Sequence, residues 1–208
     1  PITATAGGTS IAATFGIAGS AAITITPSSG TVGSSFQISL GGFQSNETVR
    51  LTLDGSSTVW RTATAASNGT VLVKATIPYL SNGNHTIAAR GVSSGRTASG
   101  TVAIGPSMEL SSSGGASGSS ASAWMRGFKA DTSITLRFNA TNATNGVSSC
   151  SGRTDSNGSF DCAFTVPASA PGTYPVRAVS DGLSATSNFA VTTAGEIVGG
   201  AVLGIGTY

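Results

Sequence analysis

Apolar and polar residues alternate along most of this chain. In "FQISLGGF" the apolar positions are Phe36, Ile38 and Leu40, and in "ETVRLTLDG" they are Val49, Leu51 and Leu53. Each stretch is bounded by Gly or Asn clusters, the pattern of a half-buried strand. No window places apolar residues at i, i+3, i+4 and i+7 over three turns, and β-branched residues outnumber good helix formers in nearly every block. The pattern therefore predicts an all-β chain with essentially no helix. One alternating stretch stands ahead of the rest: "GGTSIAATFGIAG" (7–19) is uncharged and carries Ile11, Ala13, Phe15 and Ile17.

The alternation is organised by an internal repeat. "SNGTVLVKATIP" (67–78) matches "SNGSFDCAFTVP" (156–167) at an offset of 89. In the same register "GNHTI" (83–87) falls on "GTYPV" (172–176), and Val102 falls on Val191. Upstream, "GFQSNETVRLTL" (42–53) matches "GFKADTSITLRF" (127–138) at an offset of 85, so the second copy holds four extra residues, for which "TNATNG" (141–146) is the natural place. Each copy holds about seven short strands with turn signals every 8 to 12 residues, the expectation for an antiparallel sandwich. The predicted organisation is an N-terminal extension (1–21), two sandwiches (22–105 and 106–193) and an apolar C-terminal strand or tail, "AGEIVGGAVLGIGTY" (194–208).

The repeat resembles the immunoglobulin-like modules of prokaryotic cell-surface proteins. The residues that carry the likeness are "TPSSGTVGSSFQISLGGF" (26–43), the "SNG" turn ahead of a strand ending in Ile77-Pro78 or Val166-Pro167, and "SNGNHTIAARG" or "APGTYPVRAVSDG". Neither copy has the antibody-type Cys and Trp spacing. Trp60 and Trp124 fall at non-equivalent places and read as packing or surface aromatics, with a sugar-stacking platform together with Tyr79 as the other reading.

Composition narrows the setting. Only 9% of residues are charged, the net charge is +2, and Ser and Thr fill 61 of 208 positions. Such mixtures often stay disordered, and here the periodicity argues for folding. With no run of Lys or Arg, the chain carries no footprint for nucleic acid or a membrane surface. It has neither a basic leader nor the run of eighteen apolar residues that a membrane-spanning helix needs, so Pro1 reads as a processed start. Cys150 and Cys162 flank "DSNG"; in a hairpin centred there they lie nearly opposite, positioned for a cross-strand disulfide, the alternative being two buried thiols. A bridge implies an oxidising, extracellular setting.

Six of nine asparagines, Asn46, Asn68, Asn84, Asn139, Asn142 and Asn157, begin Asn-X-Ser/Thr sequons. Roughly two to three would arise by chance in so hydroxyl-rich a chain, so the excess points to N-linked glycans, and a Ser/Thr-rich accident is the competing account. If used, these sites favour an archaeal or eukaryotic source, and the repeat type leans archaeal.

Catalytic chemistry is nearly absent. His85 is the sole histidine, lies inside a sequon and aligns with Tyr174. "GVSSG" (91–95) fits Gly-x-Ser-x-Gly but has no helix pattern after it and reads as a loop. Asp54, Asp131, Asp155, Asp161 and Asp181 read as turn residues, and no Asp-rich calcium loop is visible. No catalytic residue, metal ligand or cofactor is expected.

The apolar ends belong to neither repeat. Each can add an edge strand to its neighbouring sandwich, or the first can be donated to another copy by β-augmentation through Ile11, Ala13, Phe15 and Ile17. Residues 11–17 extended span about 20 Å, and burying Ile11, Phe15 and Ile17 gives on the order of 5 to 9 kcal/mol before ordering costs. Head-to-tail exchange does not close and propagates as a filament. In architecture and composition the chain resembles subunits of the archaeal surface filaments called threads. That resemblance implies a glycosylated extracellular filament subunit whose partner is itself. The alternative is an adhesin or carbohydrate-binding module with surface glycans as ligands.

Overall fold

The computed structural model describes residues 2–13 and 20–193, and no described residue is helical. At the N-terminus β1 (Ile2–Ala6) and β2 (Thr9–Ala13) pair antiparallel, from Ile2 opposite Ala13 to Ala6 opposite Thr9. Gly7 and Gly8, at φ +58° and +80°, close the hairpin, since a two-residue turn of this kind needs positive φ at both central residues. The expected single extended strand is thus a hairpin over residues 2–13. Ile11 and Ala13 lie in β2, opposite Ala4 and Ile2. Phe15, Ile17 and the C-terminal residues 194–208 lie outside the described residues.

Each repeat contains eight strands, one more than the pattern suggested. In the first they are β3 (Ala22–Thr26), β4 (Ser29–Gly30), β5 (Ser35–Gly41), β6 (Thr48–Leu53), β7 (Arg61–Thr64), β8 (Val71–Thr76), β9 (Gly83–Gly91) and β10 (Thr97–Ile104). In the second they are β11 (Ser107–Leu110), β12 (Gly114–Ala116), β13 (Ser120–Arg126), β14 (Ser133–Phe138), β15 (Val147–Arg153), β16 (Phe160–Thr165), β17 (Gly172–Ser180) and β18 (Leu183–Thr192). The sheet orders match strand for strand: β3-β5-β8 with β4-β10-β9-β6-β7, and β11-β13-β16 with β12-β18-β17-β14-β15. Both repeats are immunoglobulin-like sandwiches in which the first segment divides between the two sheets. Its second piece lies parallel to the last strand, β4 along β10 and β12 along β18.

This pairing corrects one alignment. Gly30 lies opposite Ile104 and the equivalent Gly115 lies opposite Val191, so Ile104 matches Val191 and Val102 matches Phe189. The register slips because the preceding bend differs. In repeat one residues 92–95 intervene before Gly91 N–H meets the Arg96 carbonyl at 2.9 Å, whereas Ser180 pairs with Leu183 around Asp181 and Gly182 alone. The "TNATNG" insertion lies, as expected, between β14 and β15.

The alternation becomes burial. Phe36, Ile38 and Leu40 of β5 and Val49 and Leu51 of β6 are all buried. The second sandwich closes on Met125, Phe128, Leu136, Phe138, Val176 and Phe189, with the Phe189 ring edge-on to Phe138 and Phe164 at 6.1 and 6.3 Å. The repeated "SNG" turn also has a packing cause. A Cβ on Gly69 would come within 2.3 Å of the Phe43 carbonyl oxygen, and one on Gly158 within 1.8 Å of that of Phe128.

The chain divides into two compact units. One gathers Gln37–Val73, Thr86–Gly100 and the described residues up to Ile25; the other gathers Thr26–Phe36, Lys74–His85 and the described chain from Thr101. The strip Lys74–His85, although its strand residues pair within the first sandwich, thus falls in the same compact unit as the second repeat, and its Asn82 N–H donates to the Phe128 carbonyl at 2.8 Å.

Candidate interaction surfaces

Strand β13 presents alternate side chains to its outer face: Ser122, Trp124 and Arg126 point away from buried Ala121, Ala123 and Met125. Trp124 lies directly opposite Glu109 of β11 on one side and Asp161 of β16 on the other, so an indole and two carboxylates form a row across the three-stranded sheet. Arg126 Nη1 donates to the Asp161 carboxylate and to the Met125 carbonyl, and the guanidinium lies 5.4 Å from the Tyr79 ring centre. Burial works to lower the Arg126 pKa; the Asp161 hydrogen bond and the neighbouring Tyr79 outweigh it, so the group is held above its ordinary value.

Tyr79 and Trp124 are 59% and 38% exposed, high for large rings and suited to contact with a partner. Two hollows share Tyr79 and Arg126. One, of about 580 Å³, includes Pro78, Met108, Glu109 and Trp124; the other, of about 540 Å³, includes Arg153, Asn157, Phe160 and Asp161. Both lie inside the second compact unit. Asp161, expected in a turn, is a strand residue of this cleft. The signal available in the sequence was its place three residues beyond "SNG", inside the alternating run.

Trp60 lines neither hollow; it is half-buried, with the Arg61 guanidinium 5.0 Å from its ring centre. A third hollow, of about 810 Å³, lies in the first unit over Arg50, Thr52, Val59, Ala88 and Arg90.

All six sequon asparagines are exposed. Asn46 and Asn139 adopt φ of 58° and 57°, a left-handed turn conformation that asparagine tolerates. Asn68 Oδ1 accepts from the Thr70 N–H at 3.1 Å and its hydroxyl at 2.7 Å, and Asn142 Oδ1 accepts from the corresponding groups of Thr144 at 2.9 and 3.0 Å.

Cys150 and Cys162 form a disulfide with Cα atoms 6.6 Å apart. Its setting corrects the hairpin expectation. Cys150 lies in β15 opposite Leu136, and Cys162 lies in β16 opposite Ala123, in different sheets. The bridge therefore runs from sheet to sheet, joining two edge strands. Repeat one has Arg61 and Val73 at these places, Arg61 lying opposite Leu51 as Cys150 lies opposite Leu136.

The remaining polar residues are structural. His85 Nε2 lies 2.9 Å from the Ser81 carbonyl, and its counterpart Tyr174 donates from its hydroxyl to the Ala170 carbonyl at the same 2.9 Å. Asp54, Asp131 and Asp181 sit at φ of 49°, 51° and 41°, and Asp155 Oδ1 accepts from the Asn157 and Ser159 N–H groups, all as turn residues. Glu47, which the sequence did not single out, is buried and accepts from Gln44 N–H at 2.6 Å, Ser94 N–H at 2.9 Å and the Ser94 hydroxyl at 2.8 Å. "GVSSG" is thus a loop that caps this carboxylate. Among the described residues no cluster of His, Cys, Asp or Glu could hold a metal, and no helix is long and apolar enough to cross a membrane.

No protein-family model matches the sequence, and no curated protein matches it. Among solved structures the chain is similar, at 14% identity and a TM-score of 0.36, to the Yersinia pseudotuberculosis adhesin InvE, over 83% of this chain and 59% of that one. It is similar to the D0–D1 domain of intimin at 14% identity and 0.32, over 82% and 95%. It is also similar to the ectodomain of the teleost fish polymeric Ig receptor at 13% and 0.37, over 81% and 96%. The likenesses are distant, and the chain spans only 59% of the InvE chain. By its own strand order it is a tandem pair of immunoglobulin-like sandwiches.

Proposed function

We propose that the chain is a non-enzymatic, glycosylated, extracellular surface protein, a subunit of a thread-like filament joined head to tail through its N-terminal residues. The observation that carries this is the β1–β2 hairpin, a two-stranded sheet that belongs to neither sandwich. An isolated hairpin is marginally stable in water and has two open edges, so it gains most by extending another sheet. Each sandwich holds eight strands among the described residues, and a donated strand would add at a sheet edge. The disulfide and the six exposed sequons suit an oxidising, extracellular setting.

Deleting residues 1–21 is expected to leave folded, discrete molecules and no fibres by electron microscopy, with the full chain forming fibres. Fibres formed by the truncated chain would overturn strand donation. A second reading, an adhesin or carbohydrate-binding module, is favoured by the exposed Tyr79 and Trp124 in one cleft. It requires that cleft to be open to a free sugar.

A further inference from the structure

We infer that Asn157 carries an N-linked glycan whose first sugars lie in the cleft beside Tyr79 and Arg126, so that the protein's own modification fills this site. The inference rests on the glycoprotein part of the reading above and not on strand donation.

It starts from the two "SNG" turns. In repeat one the turn begins at Ala66, which has no side chain to cap it, and the Asn68 Oδ1 does so by accepting from Thr70. In repeat two the equivalent first position is Asp155, and its Oδ1 takes the N–H groups of Asn157 and Ser159 at 2.9 and 2.8 Å. The Asn157 side-chain amide is thereby released from the turn, and it makes no hydrogen bond among the described residues. The backbone beneath it is fixed, because Phe128 N–H donates to the Gly158 carbonyl at 3.1 Å and Gly158 lies against the Phe128 carbonyl. The result is an exposed, unengaged amide held in one place at the tip of a rigid turn.

Asn157 is one of the residues lining the hollow of about 540 Å³, together with Tyr79, Arg126, Arg153 and Asp161. The chemistry there suits a neutral sugar. A pyranose presents C–H bonds on one face and hydroxyls around its rim. Tyr79, 59% exposed, offers a ring for the face, while Arg153 and the Arg126–Asp161 pair offer donors and acceptors to the hydroxyls. Asp161 already balances Arg126, so the site does not demand an anion. Covalent attachment at the rim gives the glycan a high effective concentration in the cleft, which a free sugar lacks.

The test uses the full chain produced in a eukaryotic host that attaches N-acetylglucosamine-linked glycans. Peptide mass mapping is expected to show Asn157 occupied, and NMR to show contacts between N-acetylglucosamine protons and the Tyr79 ring. Ser159→Ala and Asn157→Gln both remove the sequon. Ser159→Ala disturbs little, because the Ser159 hydroxyl is buried without a partner. Each is expected to lower Tm by a few degrees, and the loss is expected to vanish when Tyr79 is already Ala. An empty Asn157 beside occupied sequons elsewhere would overturn the inference. So would an occupied Asn157 with no Tyr79 contact and additive Tm changes. Titration with free chitobiose is expected to leave the glycosylated wild type unchanged; binding in the cleft would overturn the inference and favour the adhesin reading. None of these outcomes depends on whether fibres form, so failure here and failure of strand donation are separable.

Discussion

Glu47 is a carboxylate buried at the start of β6, and its counterpart in repeat two is Thr132, whose hydroxyl lies 3.1 Å from that of Ser180. Both side chains tie the loop before their strand to the far end of the strand three places on, Glu47 as a charged acceptor from Ser94 just after β9 and Thr132 through its hydroxyl at Ser180, which ends β17. Burial alone would raise the Glu47 pKa, but the hydrogen bonds from Gln44 and Ser94 prevail and hold it below the usual carboxylate value. A depressed folded pKa stabilises above the unfolded value of about 4.3 and ceases to do so as pH falls through the folded one. Glu47→Gln is therefore expected to lower Tm at neutral pH, with the gap to wild type closing on acidification below the carboxylate range. A gap independent of pH would show that charge at Glu47 contributes nothing. The sequence hid this residue, since "SNETV" reads as a turn and nothing local reveals that Ser94 returns to meet it. The aspartates at positive φ were legible because a turn is a local event.

At the level of elements, alternation and repeat spacing located the strands well, and they could not say which sheet each strand joins. Period two is the same in either sheet. That is why "CSGRTDSNGSFDC" looked like a hairpin, when β15 and β16 are edge strands of opposite sheets. Arg61 and Val73 at the same places show that the sandwich forms without the bridge. A loop closed over a sequence separation of 12 corresponds to about 3 kcal/mol on chain-entropy grounds. Reducing the disulfide is thus expected to lower the melting temperature of the second repeat by roughly 12 to 24 °C while leaving the fold intact. Calorimetry with and without reductant measures this; equal loss of structure in both repeats would contradict it. The cleft was half legible. Tyr79 and Trp124 stood out as aromatics, but their meeting depends on β13 facing the strip that follows β8, a long-range arrangement without a local signature.

For the whole molecule, the small charge content matters most. With 9% charged residues and a net charge of +2, association between copies has little electrostatic steering to draw on. If copies join by the strand addition proposed above, fibre growth rests on backbone pairing and apolar burial. It is expected to persist at about 1 M salt, where charges more than about 3 Å apart are screened. Dissolution of fibres by salt, read by light scattering, would instead indicate assembly through charged pairs.

The parallel lie of β4 along β10 and of β12 along β18 has a mechanical consequence. Each pair joins an early strand of its repeat to the final one, so tension applied at the two ends of a repeat pulls the partners past each other lengthwise. The bonds from Ala103 to Ser28 and from Gly105 to Gly30, and that from Ala190 to Ser113, are then strained together in shear instead of opening in turn. A chain built this way resists stretching until a whole ladder slips at once, which is the behaviour of a tether.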